Sequence, residues 1–349
     1  MKHLDRPRFY GILAGLALAL LGVAMFSLAV GPTLLSPFQV SDALLNPETS
    51  GSTADIVRRI RLPRIALAGL VGACLSTSGV IFQALLRNPL ADPYVLGVSG
   101  GAALGGILVL SLGASLGFGF GAVPIAAFAG CLITTFLLYL IAGRSQRVSA
   151  TGLLLTGVVF NAFASAAIVF MASLAGMLES GRIFVWLIGN LSSARIDLWP
   201  WLLTFLVLGL GCAMPLARGL NALALGEETA EQLGVATERA RRILVLATSL
   251  MVGAAVSVAG LVGFVGLIIP HLLRLLFGPD HRLLLPAAAL GGAAFLILCD
   301  TIARTLLGGR ELPVGAVTAL LGGPLFLYLL RSDRGRMLGA SSPSEVRGR

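Results

Sequence analysis

The stretch Phe9-Tyr10-Gly11-Ile12-Leu13-Ala14-Gly15-Leu16-Ala17-Leu18-Ala19-Leu20-Leu21-Gly22-Val23-Ala24-Met25-Phe26-Ser27-Leu28-Ala29-Val30 contains no charged residue. Hydrocarbon offers no water to a peptide group, so a segment inside it must satisfy its own N–H and C=O groups, as a helix or within a closed barrel. A barrel strand crosses with about 10 residues and a helix with about 20. Phe9 to Val30 is of the second length. Outward from it, apolar runs of similar length recur at 65–86, 94–112, 121–142, 151–175, 198–215, 242–259, 261–277, 283–304 and 312–330, which with 9–31 makes ten candidate spans. Between 242 and 277 the only break is Ala259-Gly260-Leu261, which also fits a bend in one long helix. Composition agrees: 57% of the 349 residues are hydrophobic and 12% charged, and mean hydropathy is +0.94, outside the range of soluble domains. The expected fold class is an all-α membrane protein of about ten transmembrane helices. The polar, basic Met1 to Arg8 ahead of the first run resembles a secretory leader. The run is too long for that, however, and no small-residue cleavage pattern follows, so it is read as the first span.

An even number of spans puts both termini on one side. With the termini inside, the inner segments hold about two-thirds of the 25 basic residues, as the positive-inside rule asks. The outer segments keep Arg58, Arg59, Arg61, Arg64, Arg182, Arg195, Arg304 and Arg310. The cluster Arg58-Arg59-Ile60-Arg61-Leu62-Pro63-Arg64 is the exception that needs a reason. The net charge of +9 is spread over the ends of apolar runs and forms no nucleic-acid face. The first outer loop, 32–64, contains Asn46-Pro47 and Gly51-Ser52 and is expected to be irregular. Ile183-Phe184-Val185-Trp186-Leu187-Ile188 is too short to span and reads as a short helix at the membrane surface. The inner loop 216–241 is the largest polar island.

Few residues could carry chemistry. A P-loop needs a lysine to hold phosphates, and the only lysine is Lys2. This excludes a nucleotide site of that type and Schiff-base chemistry alike. His3, His271 and His281 are scattered, and Cys74, Cys131, Cys212 and Cys299 lie inside apolar runs without ligand spacing, so they read as packing residues and no metal site is expected. Gly97, Gly101 and Gly105 recur every four residues and read as a helix-packing stripe. Gly117-Phe118-Gly119-Phe120-Gly121 follows a span rather than a strand and is not a dinucleotide fingerprint. Asp300 and Arg304 can pair on one helix face, easing the cost of charge in a span, where charges are functional candidates by default. Within the inner loop, Leu223-Ala224-Leu225-Gly226-Glu227-Glu228-Thr229-Ala230-Glu231-Gln232-Leu233-Gly234-Val235 reads as a short amphipathic helix bounded by Gly226 and Gly234, with Ala230 and Leu233 on one face. Its shape suits a groove in a partner protein.

The chain resembles the FecCD-type permeases of iron-chelate, haem and cobalamin ABC importers, also called type II importers, over nearly its whole length. The matches, in order, are Arg61-Leu62-Pro63-Arg64, Ser78-Gly79, Gln83, Arg87-Asn88-Pro89-Leu90-Ala91-Asp92-Pro93, Leu96-Gly97-Val98-Ser99, Leu225-Gly226-Glu227, Leu233-Gly234, Gly263-Phe264-Val265-Gly266-Leu267, Pro270-His271, Arg274, Asp300, Arg304 and Glu311-Leu312-Pro313-Val314-Gly315. The resemblance implies one permease domain over 1–349 in the bacterial inner membrane, with both termini, the coupling loop 216–241 and the tail 332–349 cytoplasmic. It implies that Leu225, Gly226, Glu227, Glu228, Ala230, Leu233 and Gly234 dock into a cytoplasmic ATPase. Asn88, Leu90, Ser149, Ala150 and Thr151 correspond to the cytoplasmic gate, although Ala150 has no hydroxyl to contribute. Arg61, Arg64 and Arg304 resemble arginines that pair with acidic residues of a periplasmic or lipid-anchored substrate-binding protein, which would explain the outer basic cluster. Asn190, within Trp186-Leu187-Ile188-Gly189-Asn190-Leu191, stands where the family often has a small residue.

The expected partners are therefore a second permease copy, identical or closely similar, two ATPase subunits that alone hold ATP and Mg, and the binding protein. The chain itself is expected to bind no cofactor and to catalyse no reaction. The cargo expected on family frequency is a ferric siderophore, with cobalamin or haem as alternatives. An ion-driven secondary transporter would instead bury acidic or histidine residues at mid-span, and a membrane enzyme would bring a nucleophile and a base to one cavity.

Overall fold

Helices form wherever the apolar runs require the backbone to bond to itself, and the breaks fall where glycine, proline or charge interrupts them. The computed structural model of the chain describes residues 5–46, 51–112, 120–142, 150–191, 196–308 and 310–340. In order, its helices are α1 (Arg6–Ala29), α2 (Pro37–Leu45), α3 (Ser52–Asp55), α4 (Leu62–Leu85), α5 (Val98–Leu112), α6 (Val123–Ala142), α7 (Ala150–Leu174), α8 (Met177–Leu187), α9 (Trp199–Ala213), α10 (Ala217–Leu225), α11 (Glu227–Gln232), α12 (Thr237–Ala259), α13 (Val265–Phe277), α14 (His281–Thr305) and α15 (Val314–Ala340). No strand occurs among the described residues. Each of the ten expected spans has its helix. α1, α4, α6, α7, α12 and α14 are long and apolar enough to cross alone, α9 continues into α10 through a 63° bend, and α5, α13 and Val314–Tyr328 of α15 are shorter apolar helices.

The bundle is built around α4, which is buried along almost its whole length against α14, α12, α13 and α9. Without a hydrophobic force between helices in lipid, close approach relies on small residues. A Cβ on Gly72 would lie 2.2 Å from the Gly292 carbonyl oxygen of α14, and one on Gly79 1.9 Å from that of Gly266 in α13. The expected stripe on α5 has the same use. Gly101 and Gly105 abut α6 at Gly130 and Ala126, while Gly97 precedes the helix and faces Gly157 of α7. Cys74, Cys131 and Cys299 are buried as packing residues, but Cys212 is exposed on α9.

Three expectations need correction or completion. The 242–277 stretch is two helices. The Gly260–Phe264 link separates them, with Gly260 at φ 69° and Phe264, the residue before α13, at φ 70°. The first loop is not irregular as expected: it contains α2, α3 and a π-helical turn, Ile56–Arg61, that runs directly into α4. Ser36 and Gln39 form a reciprocal capping box at the start of α2, with Pro37 at its first position. That signature was present in the sequence. Finally, α15 continues through Ala340, well into the expected tail.

Trp186–Leu191 acquires a structural role. Asn190 donates its backbone N–H to the Ala259 carbonyl at 2.8 Å, and Gly189 accepts from the N–H of Gly315 at 3.2 Å. The segment thereby ties the end of α12 to the start of α15.

Candidate functional site

At one end of the bundle the C-termini of α1 and α14 meet the N-terminus of α4. Arg58, Arg61 and Arg64, spaced three apart through the π-helical turn, reach successively to α2, α1 and α14. Arg58 donates to the Ala43 and Asn46 carbonyls. Arg61, only 3% exposed, donates to the carbonyls of Leu28 at 2.6 Å, Ala29 at 3.1 Å and Thr33, and to Thr33 Oγ1 at 3.0 Å. A cation there satisfies the orphan carbonyls that end α1 and lies at the negative pole of its dipole. Arg64 donates to Asp300 through Nε and Nη2 and to Glu311 through Nη1, all at 2.9–3.1 Å. Arg304 Nε stands 3.0 Å from Asp300 Oδ2, and its Nη2 donates to Ser27 Oγ at 2.8 Å. The Asp300 side chain is 1% exposed between the two guanidinium groups.

The structure places Arg61, Arg64 and Arg304 together at one end of the bundle. Their guanidinium groups are turned inward onto the chain's own carbonyls and carboxylates. The i,i+4 pair expected of Asp300 and Arg304 is present, enlarged by Arg64 and Glu311. Of the outer cluster, Arg59 faces outward and, among the described residues, pairs only with Asp55 at 3.0 Å.

The opposite end carries α10 and α11. Gly226, at φ 141° and ψ 153°, breaks the two helices apart. Gly234, at φ 82°, closes α11 in a Schellman turn, with Val235 N–H to the Ala230 carbonyl at 3.0 Å and Gly234 N–H to that of Glu231 at 2.9 Å. The sequence expectation of a short helix bounded by these two glycines agrees with this geometry. Ala230 and Leu233 do not share a face, however: Ala230 is fully buried, and Leu233 is 67% exposed just past the helix. Glu227 anchors α11 to α12 through the buried Arg241 at 2.7 Å. Sequence reading missed Arg241, because its partner lies in a different helix. Leu225, 75% exposed, and Glu228 face outward.

Between α4 and α5 the chain turns at Arg87, whose φ is 49°. Asn88 holds that turn, its Oδ1 accepting from Leu90 N–H at 2.9 Å, and Leu90 is exposed. Of the other gate residues, Ser149 lies outside the described residues, and Ala150 and Thr151 open α7. Next in the chain, Asp92 and Tyr94 help line an open cleft of about 470 Å³ with Asn161 of α7 and Phe264. Tyr94 joins three elements: its hydroxyl donates to the Val262 carbonyl at 2.9 Å and accepts from Val262 N–H at 3.0 Å, and its carbonyl accepts from Asn161 Nδ2 at 2.7 Å. Burial pushes the Asp92 carboxyl up to about 6, although the Tyr94 N–H opposes it. No group of three or more potential metal ligands occurs among the described residues.

The described residues thus form a many-helix membrane bundle with a short helix pair at one end and open clefts. The FecCD transport family model matches residues 17–332, and the chain belongs to that family. It is 44% identical over 283 residues to the cobalamin import system permease protein BtuC of Halobacterium salinarum, covering 81% of this chain and 75% of that one. It is 40% identical over 330 residues to the hemin transport system permease protein HmuU of Yersinia pestis, covering 93% and 98%. A structure described as an inward-facing metal-chelate type ABC transporter superposes with a TM-score of 0.80 at 31% identity, over 93% of this chain and 99% of that one. The chain is thus the integral inner-membrane permease subunit of a type II ABC importer. It works with a separate ATPase, which hydrolyses the ATP, and with a substrate-binding partner.

Proposed function

We propose that the cargo is a bulky metal chelate that stays closed around its metal during transit. The observation that carries this reading is the likeness, at 40–44% identity, to permeases named for cobalamin and for hemin. Those names favour a corrinoid or haem over the ferric siderophore that family frequency suggested. Two copies of the chain flank the path, and the cleft at Asp92, Tyr94, Asn161 and Phe264 forms part of its wall. With both termini cytoplasmic, α10 and α11 face the ATPase, and the Asn88–Leu90 turn closes the path on the same side. Exposed Leu225 and Leu233 are the apolar anchors that seat in the ATPase, since a few such residues carry most of the affinity in helix-in-groove contacts. ATP-driven closure of the ATPase pair moves this segment and switches the exposure of the path. The binding protein seats on the opposite end, held rigid by the Arg64–Asp300–Arg304 network, with exposed Arg59 and Arg310 supplying the charge that steers it.

The test is uptake by proteoliposomes holding the permease, its ATPase and its binding protein, offered cyanocobalamin, hemin and a ferric siderophore in parallel. ATP-dependent accumulation of one of the first two is expected. Accumulation of the siderophore alone would return the cargo to the earlier expectation.

A further inference from the structure

A cleft of about 580 Å³ opens where α4 and α13 end, α14 begins and α10 passes across them. These are helix ends, so the cleft lies at the level where hydrocarbon gives way to water. Its charges do not balance. The Arg274 guanidinium donates to the neutral amide oxygen of Gln83 at 2.9 Å and meets no carboxylate there. The Arg87 guanidinium makes no hydrogen bond or ion pair among the described residues. Arg282 is neutralised by Asp280 at 2.6 Å. Asp280 has no capacity left for the other two, because it also accepts from Asn221 Nδ2 at 3.0 Å and from the Arg282 N–H. Two arginine charges therefore face one cavity without a counter-ion.

Apart from Asn221 and His281, the rest of the lining is apolar, namely Ala84, Pro89, Ala224, Leu225 and Pro279. Pro89 and Ala224 are exposed where the cleft opens outward. A fully hydrated anion has no use for such a rim, whereas a phosphodiester attached to glycerol and acyl chains does. Basic pockets between the ends of membrane helices attract anionic headgroups, at about 1 kcal/mol for each arginine, a factor of about five in affinity. We infer that this cleft binds the phosphate of an anionic phospholipid, held by Arg87 and Arg274, with the glycerol and the start of the acyl chains along Pro89 and Ala224.

The experiment titrates the purified full chain in neutral detergent with short-chain phosphatidylglycerol, short-chain phosphatidylcholine or inorganic phosphate, read by native mass spectrometry. Phosphatidylglycerol is expected to bind at least about fivefold more tightly than phosphatidylcholine. Arg87→Gln should lower its affinity about fivefold, while Arg87→Lys, which keeps the charge, should hold it near the wild-type value. Arg59→Gln, at the other end of the bundle, should have no effect. Because Arg87 has no partner in the fold, its loss should leave the melting temperature unchanged, which separates lost binding from lost structure. Equal affinity for the two lipids, or an unchanged affinity in Arg87→Gln, overturns the inference. Displacement of the lipid by an equal concentration of inorganic phosphate overturns the lipid as source and leaves a soluble phosphate in its place. Arg87→Gln that binds phosphatidylglycerol normally but loses its ATPase overturns it as well, making the cleft a contact for a carboxylate of that subunit.

Discussion

The two ends of the bundle use charge in opposite ways. At the α1–α4–α14 end, four arginines are committed inside the chain: Arg58 and Arg61 to helix-end carbonyls, and Arg64 and Arg304 to Asp300. At the α10–α11 end a single buried cation, Arg241, fixes the short helix, and Leu225, Glu228 and Leu233 are left facing outward. A run of arginines therefore need not mark a docking surface. Exposed leucines at the ends of a short helix pair have no comparable internal use, and they are the stronger sign of a partner.

Substitutions can break or sharpen this contrast. The largest effect is expected from Asp300→Asn, which takes from buried Arg304 its only carboxylate partner among the described residues and leaves Arg64 with Glu311 alone. Breaking a buried ion pair from one side costs about 3–5 kcal/mol, so the melting temperature in detergent should fall sharply, and an unchanged value would return Arg64 and Arg304 to the surface. Next comes Arg61→Ala, which leaves the carbonyls ending α1 without a donor. A loss of about 1–3 kcal/mol is expected, against less than about 0.5 kcal/mol for Arg59→Ala two residues away. Equal losses at the two positions would mean that burial does not separate them. Leu225→Asp with Leu233→Asp should leave stability within about 0.5 kcal/mol but weaken ATPase association at least about tenfold, measured by titrating ATPase onto the immobilised permease.

The smallest effect concerns pH. Although burial opposes ionisation, hydrogen bonds from Arg282 and Asn221 hold the Asp280 carboxyl down at about 2. A depressed carboxyl stabilises the fold above the ordinary carboxylate pKa of about 4, and that stabilisation disappears as pH falls from there through about 2. Asp280→Asn should flatten the acid limb of the stability curve in that window, seen as a smaller shift of the melting temperature than in the wild type.

Much of the fold was legible in the sequence, because span length is a one-dimensional signal. The capping box at Ser36 and Gln39 was legible too, although the Asn-Pro and Gly-Ser pairs in the same loop pointed to irregular chain. The break before α13 was legible only in part: Gly260 marks it in the sequence, but a left-handed phenylalanine at position 264 has no local signature. The candidate sites divide in the same way. Gly226 and Gly234 declare the limits of α11 by their own backbone needs. The fate of the arginines depends on partners far along the chain: Arg61 meets Leu28 across a separation of 33 residues and Arg64 meets Asp300 across 236. A linear reading can count such charges but cannot see which of them the fold has already neutralised.

The central claim is that this chain supplies the path and receives its energy through α10 and α11. It is tested most directly by chelate uptake in proteoliposomes carrying the permease, its ATPase and its binding protein, with wild type and Leu225→Asp/Leu233→Asp compared side by side. The account predicts uptake that requires ATP and the ATPase in the wild type, and none in a double variant that melts at the wild-type temperature. Uptake without the ATPase, or undiminished uptake by the variant, would contradict it.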